Sequence, residues 1–223
     1  MSQPHGLFTY PPQAAVGRVL SKTKVYEHAK PGTAVRALFV SQVEQITWAY
    51  KLAPETINLS PTSDVPEIEV FELALKGLKL DPSVLRSIDK AIPYPILFQL
   101  RYSGRIQTVA AYKRPSEADA SQWVVSDYFS APWQPESRVA PTLPVSLDLR
   151  GLYEQLLRTL IPVSARTGES LREHVERVTL LRGKQSEIDK LAARLGREKQ
   201  FNRKVELNAQ LRSICKELNQ LTA

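Results

Sequence analysis

Apolar residues recur along the chain with two different periods, and the switches between them divide it into segments. Val35, Leu38, Phe39, Val43 and Ile46 fall mostly three or four apart behind Thr33, which predicts an amphipathic helix running to about residue 49. Ahead of it, residues 14–20 predict a short helix, with Val25 and Tyr26 as a further apolar anchor. Residues 56–59 read as a short strand. Residues 67–75 (EIEVFELAL) read as the clearest strand, with alternating apolar positions bounded by Pro66 and Gly77. Asp81-Pro82 has the chemistry of an N-cap followed by a first-turn proline. The helix it opens carries Val84, Leu85, Ile88 and Ile92 on one side and stops at Pro93. Residues 94–102 and 105–112 read as strands joined by Ser103-Gly104, a hairpin signal, and residues 122–129 as one strand more. Such an order predicts an α+β (mixed α/β) domain over residues 1–131, a mixed sheet with flanking helices.

Residues 132–147 contain four prolines and no apolar period, so they read as a Pro-rich linker. Leu149, Leu152, Leu156 and Leu160 predict a short helix within residues 148–162. The tail, residues 168–223, carries a stripe of Leu171, Val175, Val178, Leu181, Ile188, Leu191 and Leu195. A second stripe follows in strict 4-3-4-3 spacing: Leu207, Leu211, Ile214, Leu218 and Leu221. The two are out of phase across residues 198–205. An antiparallel hairpin folded about Phe201-Asn202 resolves the mismatch by setting Leu195 opposite Leu207, Leu191 opposite Leu211 and Ile188 opposite Ile214. A continuous coiled-coil helix is the alternative, and its second seam would then serve self-association.

Charge changes this picture in one place. The net charge is +7 in 223 residues. Residues 1–150 are nearly balanced, with 16 Lys/Arg against 14 Asp/Glu, whereas residues 151–223 hold 14 against 9. Within the tail, residues 182–204 alone hold eight basic and three acidic residues. That surplus is the footprint expected for a polyanion or an acidic partner surface, and it singles out Arg194, Arg197, Lys199, Arg203 and Lys204 as a nucleic-acid or partner site. A solvated helix face is the plainer explanation of the same residues. The lone Cys215 lies among Ile214, Leu211 and Leu218 and reads as a small packing residue. With no secretory leader pattern and no stretch long enough for a membrane, a cytoplasmic protein is expected.

Candidate chemistry is sparse. His5, His28 and His174 stand far apart, none with a ligand-spaced partner, so no metal site is expected. No Gly-rich phosphate loop and no GxSxG elbow occurs, which argues against nucleotide-dependent and acyl-transfer enzymes. No cofactor follows from the sequence. One acidic set resembles a fragment of a magnesium-dependent restriction-type nuclease: Glu44 on the predicted first helix, Asp64 and Glu69 at the main strand, and Lys76 beyond it. Hard carboxylate oxygens beside a lysine suit a magnesium ion and a scissile phosphate. The Glu-x-Lys triplet of such enzymes is missing, and a non-catalytic role is favoured.

Four blocks carry a family resemblance: VEQITWAYKLAPETINL (43–59), EIEVFELAL followed by DPSVLRSIDKAIPYPILFQL (81–100), AAYKR (110–114) and EKQFNRKVELNAQL (198–211). Together they resemble a bacterial domain-of-unknown-function family of about this length, and the match covers nearly the whole chain. Members of that family are often encoded beside helicases, DNA methyltransferases and restriction-type genes. The resemblance therefore implies a DNA-linked or anti-phage setting, with a helicase or methyltransferase subunit as partner and DNA as a further one. It implies no reaction and transfers no catalytic residue.

Overall fold

A computed structural model of the chain describes residues 7–119 and 122–222. The chain forms two compact units, residues 1–162 and residues 163–223.

The first unit is built on a mixed sheet, seven-stranded among the described residues. Its strands are β1 (Ala15–Leu20), β2 (Val43–Leu52), β3 (Ile68–Leu75), β4 (Ile96–Tyr102), β5 (Arg105–Pro115), β6 (Trp123–Ser130) and β7 (Gln134–Pro135). The first six lie side by side in chain order, and β7 pairs with the start of β5. All neighbours are antiparallel except β3 and β4, which run parallel. A parallel pair needs a crossover, and helix α4 supplies it. The helices are α1 (Lys22–Ala29), α2 (Thr33–Gln42), the single turn α3 (Pro54–Ile57), α4 (Pro82–Ala91) and α5 (Leu149–Arg158).

Local chemistry explains most of these boundaries. Asp81 caps α4 by accepting from the Ser83 amide at 2.9 Å, with Pro82 in the first turn as expected. Ser103 and Gly104 both have positive φ (49° and 71°), the mirror-image turn that matches strand twist in a two-residue hairpin. Val25 and Ala29 of α1, Phe39 of α2 and Val84, Leu85 and Ile88 of α4 form one core with Ile46, Phe71, Leu73, Phe98 and Leu100 of the sheet.

Three sequence expectations are corrected. The helix predicted to residue 49 ends at Gln42, and Val43–Leu52 is strand β2. Its β-branched and aromatic residues (Val43, Ile46, Thr47, Trp48, Tyr50) fit a pleated surface, and a register shift between Trp48 and Tyr50 breaks the alternation that would have marked it. Residues 15–20 are an exposed edge strand, not a helix, with Gly17 at φ 65° beside an irregularity in pairing to β2. Residues 54–57 form a helical turn closed by Asn58 at φ 53°, where a short strand was expected.

The Pro-rich segment and α5 belong to the first unit. Strand β5 bulges against β6 between Ala111 and Lys113, which leaves backbone groups without ladder partners. The buried Tyr153 hydroxyl of α5 accepts from the Lys113 amide at 2.8 Å and donates to the Ala111 carbonyl at 2.9 Å. Ser126 Oγ accepts from the intervening Tyr112 amide at 2.9 Å. The Lys113 side chain runs inward to the end of α4, where its ammonium donates to the carbonyls of Asp89 (2.6 Å) and Ile92 and lies 3.4 Å from the Asp89 carboxylate. A cation there satisfies carbonyls that a helix C-terminus leaves open.

The second unit consists of α6 (Leu171–Arg197) and α7 (Phe201–Thr222), which pack together as an antiparallel pair. Leu191, Leu207 and Ile214 form its core, flanked by Ile188, Leu195 and Leu211. The seam of Leu207, Leu211 and Ile214 is thus occupied within the chain, whereas Leu218 and Leu221 are half-buried. Among the described residues no helix is long and apolar enough to cross a membrane.

Candidate nucleic-acid interface

The second unit places its cations by closing both ends of the hairpin. At the base, Ser170 and Glu173 form a reciprocal capping box at the start of α6. Arg177 binds the Glu169 carboxylate through two bonds of 2.6 and 2.8 Å and donates to the Ser164 carbonyl at 2.9 Å. The Arg177 guanidinium holds the Glu169 carboxyl down at about 2. Arg166 donates to the carbonyls of Gln220 (3.3 Å) and Leu221 (2.9 Å) near the end of α7. Along the shaft, Lys184 of α6 meets Glu217 of α7 at 2.6 Å, an ion pair that crosses the two helices.

At the opposite end the chain turns over residues 198–200, slightly earlier than the Phe201-Asn202 pivot that the leucine pattern predicts. Glu198 leaves helical geometry (φ −71°, ψ 136°), and one of its carboxylate oxygens accepts from the amides of Lys199 (2.8 Å) and Gln200 (2.9 Å). Those amide bonds hold its pKa below the usual carboxylate value, helped by the Arg203 and Lys204 charges. The one acid in the turn is therefore used to shape it.

Arg194, Arg197, Lys199, Arg203 and Lys204 are all exposed at this end. Among the described residues no carboxylate lies within ion-pair distance of any of the five. A cavity of about 480 Å³ opens here, lined by Arg194, Arg197 and Arg203 together with Glu198, Glu206 and Gln210. Planar guanidinium groups present paired donors that match phosphate oxygens. The structure thus brings together the five basic residues singled out for this site, on one turn and the helix ends beside it. Sequence reasoning placed Phe201 at the pivot but not in the site; it is 77% exposed at the same turn. Its position between two pairs of cations was the available signal.

The acidic set is not assembled in this way. Glu44 sits on strand β2, not on a helix, and is exposed opposite the end of β3, between the Val43–Leu75 and Gln45–Ala74 pairs. Lys76 follows that same end of β3 and donates to the Val40 carbonyl at 2.8 Å. Glu69 is buried at the other end, about 23 Å away along an extended strand. Asp64 lies in the loop before β3, where it accepts from Thr62 and pairs with Arg150 at 3.4 Å. The four residues do not converge, and among the described residues no group of three His, Cys, Asp or Glu is placed to hold a metal ion. His174 is buried with its ring nitrogen 2.7 Å from the Val163 carbonyl, His28 is exposed, and His5 lies outside the described residues.

Glu69 is nonetheless unusual. Trp48 donates its indole N–H to one carboxylate oxygen, and the Glu67 carboxyl is a close neighbour of the same group. Burial raises its pKa well above the usual carboxylate value, and the neighbouring Glu67 adds to the effect. Glu67 is itself held by Lys51 at 2.9 Å. On the later strands, two more ionisable groups are held within the sheet unit. Arg101 bridges Glu72 (2.7 Å) and Glu136 (2.9 Å), and Tyr128 donates to Asp89.

Fold and site together define an α+β protein with a mixed sheet, followed by a two-helix unit that carries a cationic turn. The chain belongs to the family described as Domain of unknown function (DUF4391), whose model matches residues 8–218. Neither the curated proteins nor the solved structures include one that matches it.

Proposed function

We propose that this protein is a non-catalytic accessory of a bacterial DNA-processing or anti-phage system, a partner to a helicase or methyltransferase subunit. In this reading the α6–α7 turn is its contact to nucleic acid. The observation that carries it is the set of five exposed cations at the turn without a carboxylate partner among the described residues. Exposed like charges repel one another, and a phosphate backbone relieves that repulsion while releasing condensed counterions. The setting rests on the family resemblance, and the contact on the charge.

The test is fluorescence anisotropy with a labelled DNA oligonucleotide at 50 and 200 mM salt. If about four phosphates are neutralised, duplex affinity falls roughly 100-fold across that fourfold change in salt. Reversing Arg197, Lys199, Arg203 and Lys204 to Glu abolishes binding at both concentrations. Equal binding by wild type and variant removes the turn from the account. Cleavage of the probe on adding magnesium replaces the accessory role with a nuclease.

A further inference from the structure

We infer that the turn takes unpaired nucleotides, with Phe201 stacking on an exposed base while the flanking arginines hold the phosphates beside it. This rests on the nucleic-acid reading above and goes further by naming the form of the ligand.

The phenylalanines of the chain differ sharply in exposure. The chain has six. Phe8, Phe39, Phe71, Phe98 and Phe129 are all buried, with exposures of 9% or less, whereas Phe201 is 77% exposed. Leaving a large apolar ring in water opposes folding, since burial of such side chains is a main source of stability. The hairpin does not need the ring, because its core is made of Leu191, Leu207 and Ile214. Phe201 also takes part in none of the aromatic pairs or cation–π contacts found among the described residues. Val205, one helical turn further along the same face, is 53% exposed and extends the apolar ledge.

The neighbours narrow the choice of ligand. Arg197 and Lys199 precede the ring, and Arg203 and Lys204 follow it. An aromatic face set among cations is the arrangement by which single strands are held: bases stack on the ring, and the charges follow the backbone. A duplex hides its base faces inside the stack and offers such a turn only its phosphates. A lipid surface asks for an amphipathic face with a broad apolar side. Here Leu191, Leu195 and Leu207 pack inside the hairpin, and among the described residues Phe201 and Val205 are the large apolar side chains exposed at the turn. Guanidinium groups at positions 194, 197 and 203 further suit discrete phosphates.

The experiment compares wild type, Phe201→Ala, Phe201→Trp and Arg197→Ala/Arg203→Ala on three probes. These are a 20-nucleotide single strand without secondary structure, a blunt duplex of the same sequence, and phosphatidylserine-containing vesicles. Circular dichroism checks that each variant keeps its helices. Wild type prefers the single strand. Phe201→Ala loses about tenfold on the single strand, with duplex affinity and salt slope unchanged, as expected for one stacked base. Phe201→Trp restores the loss, and the double Arg variant weakens both nucleic acids and flattens the salt slope. Single-strand binding that is untouched by Phe201→Ala but lost in the double Arg variant overturns this inference alone. Failure of all forms to bind either nucleic acid overturns the underlying reading. Vesicle binding that depends on Phe201, without a preference for single strands, overturns both in favour of a membrane surface.

Discussion

Replacing Tyr153 by Phe removes one oxygen atom from the interior of the first unit and leaves the ring in place. That oxygen serves two backbone groups at the β5 bulge, the Lys113 amide at 2.8 Å and the Ala111 carbonyl at 2.9 Å. Because the pairing of β5 with β6 shifts register there, neither group regains a ladder partner when the hydroxyl is gone. Ala111, Lys113 and Tyr153 are each 3% exposed or less, so water does not substitute. An unsatisfied buried polar group costs about 1–3 kcal/mol, so two of them cost roughly 2–4 kcal/mol after some relaxation. For a unit of this size that corresponds to a fall in Tm of roughly 5–15 °C. Urea unfolding followed by circular dichroism reads the change directly: the midpoint falls while the slope stays constant. A Tyr153→Phe protein within about 0.5 kcal/mol of wild type, the range of an ordinary surface change, refutes the reasoning. It would mean that α5 is not what completes the bulge.

Two further outcomes follow from buried charge. The Glu69 carboxyl is held above its ordinary value of 4.5, so the folded state keeps its proton over a range in which the unfolded chain has lost it. Stability from this group is therefore complete below about pH 4.5 and declines as pH rises. Glu69→Gln imitates the protonated form and keeps an acceptor for Trp48, so its Tm exceeds that of wild type at pH 7 and the two converge toward pH 4. Parallel Tm profiles would contradict the assignment. The Glu169 carboxyl behaves in the opposite sense. Held down at about 2 against an ordinary 4.5, it gives the hairpin base stability that is present above pH 4.5 and is lost as pH falls toward 2. Arg177→Ala removes that acid-labile part, which hydrogen exchange at the start of α6 at pH 5 detects as faster exchange than in wild type.

Much of this architecture was legible in the chain, for identifiable reasons. Strand β3, helix α4 and the β4–β5 hairpin announce themselves because alternation, an Asp-Pro cap and a Ser-Gly turn are local signals. The hairpin in the tail was legible because two leucine stripes out of phase are brought into register by folding back. Strand β2 was not. A bulge at Trp48–Tyr50 disturbs its alternation, and Val43 and Ile46 happen to continue the spacing of the helix before it. Edge strand β1 escaped because it is exposed over most of its length and carries a positive-φ glycine, so it lacks an apolar face to read. The basic site was visible as a charge count. Its aromatic was placed at the hairpin pivot by the leucine pattern, but its role beside the cations was not drawn, because a pivot position by itself says nothing of exposure. Of the nuclease pattern, Glu69 and Lys76 lie only seven residues apart, but strand β3 holds them at its two ends.

The helical pair keeps its packing residues and its exposed cations on separate surfaces. Leucine and isoleucine hold the helices together from inside, and the five cations and Phe201 at the turn are all solvent-facing. Substitutions at such outward positions change stability by only about 0.5 kcal/mol either way. The turn can therefore be rewritten residue by residue, altering the charge and shape it presents while the scaffold beneath stays intact. Charge and shape at this end of the pair are thereby uncoupled from the packing that holds the two helices together.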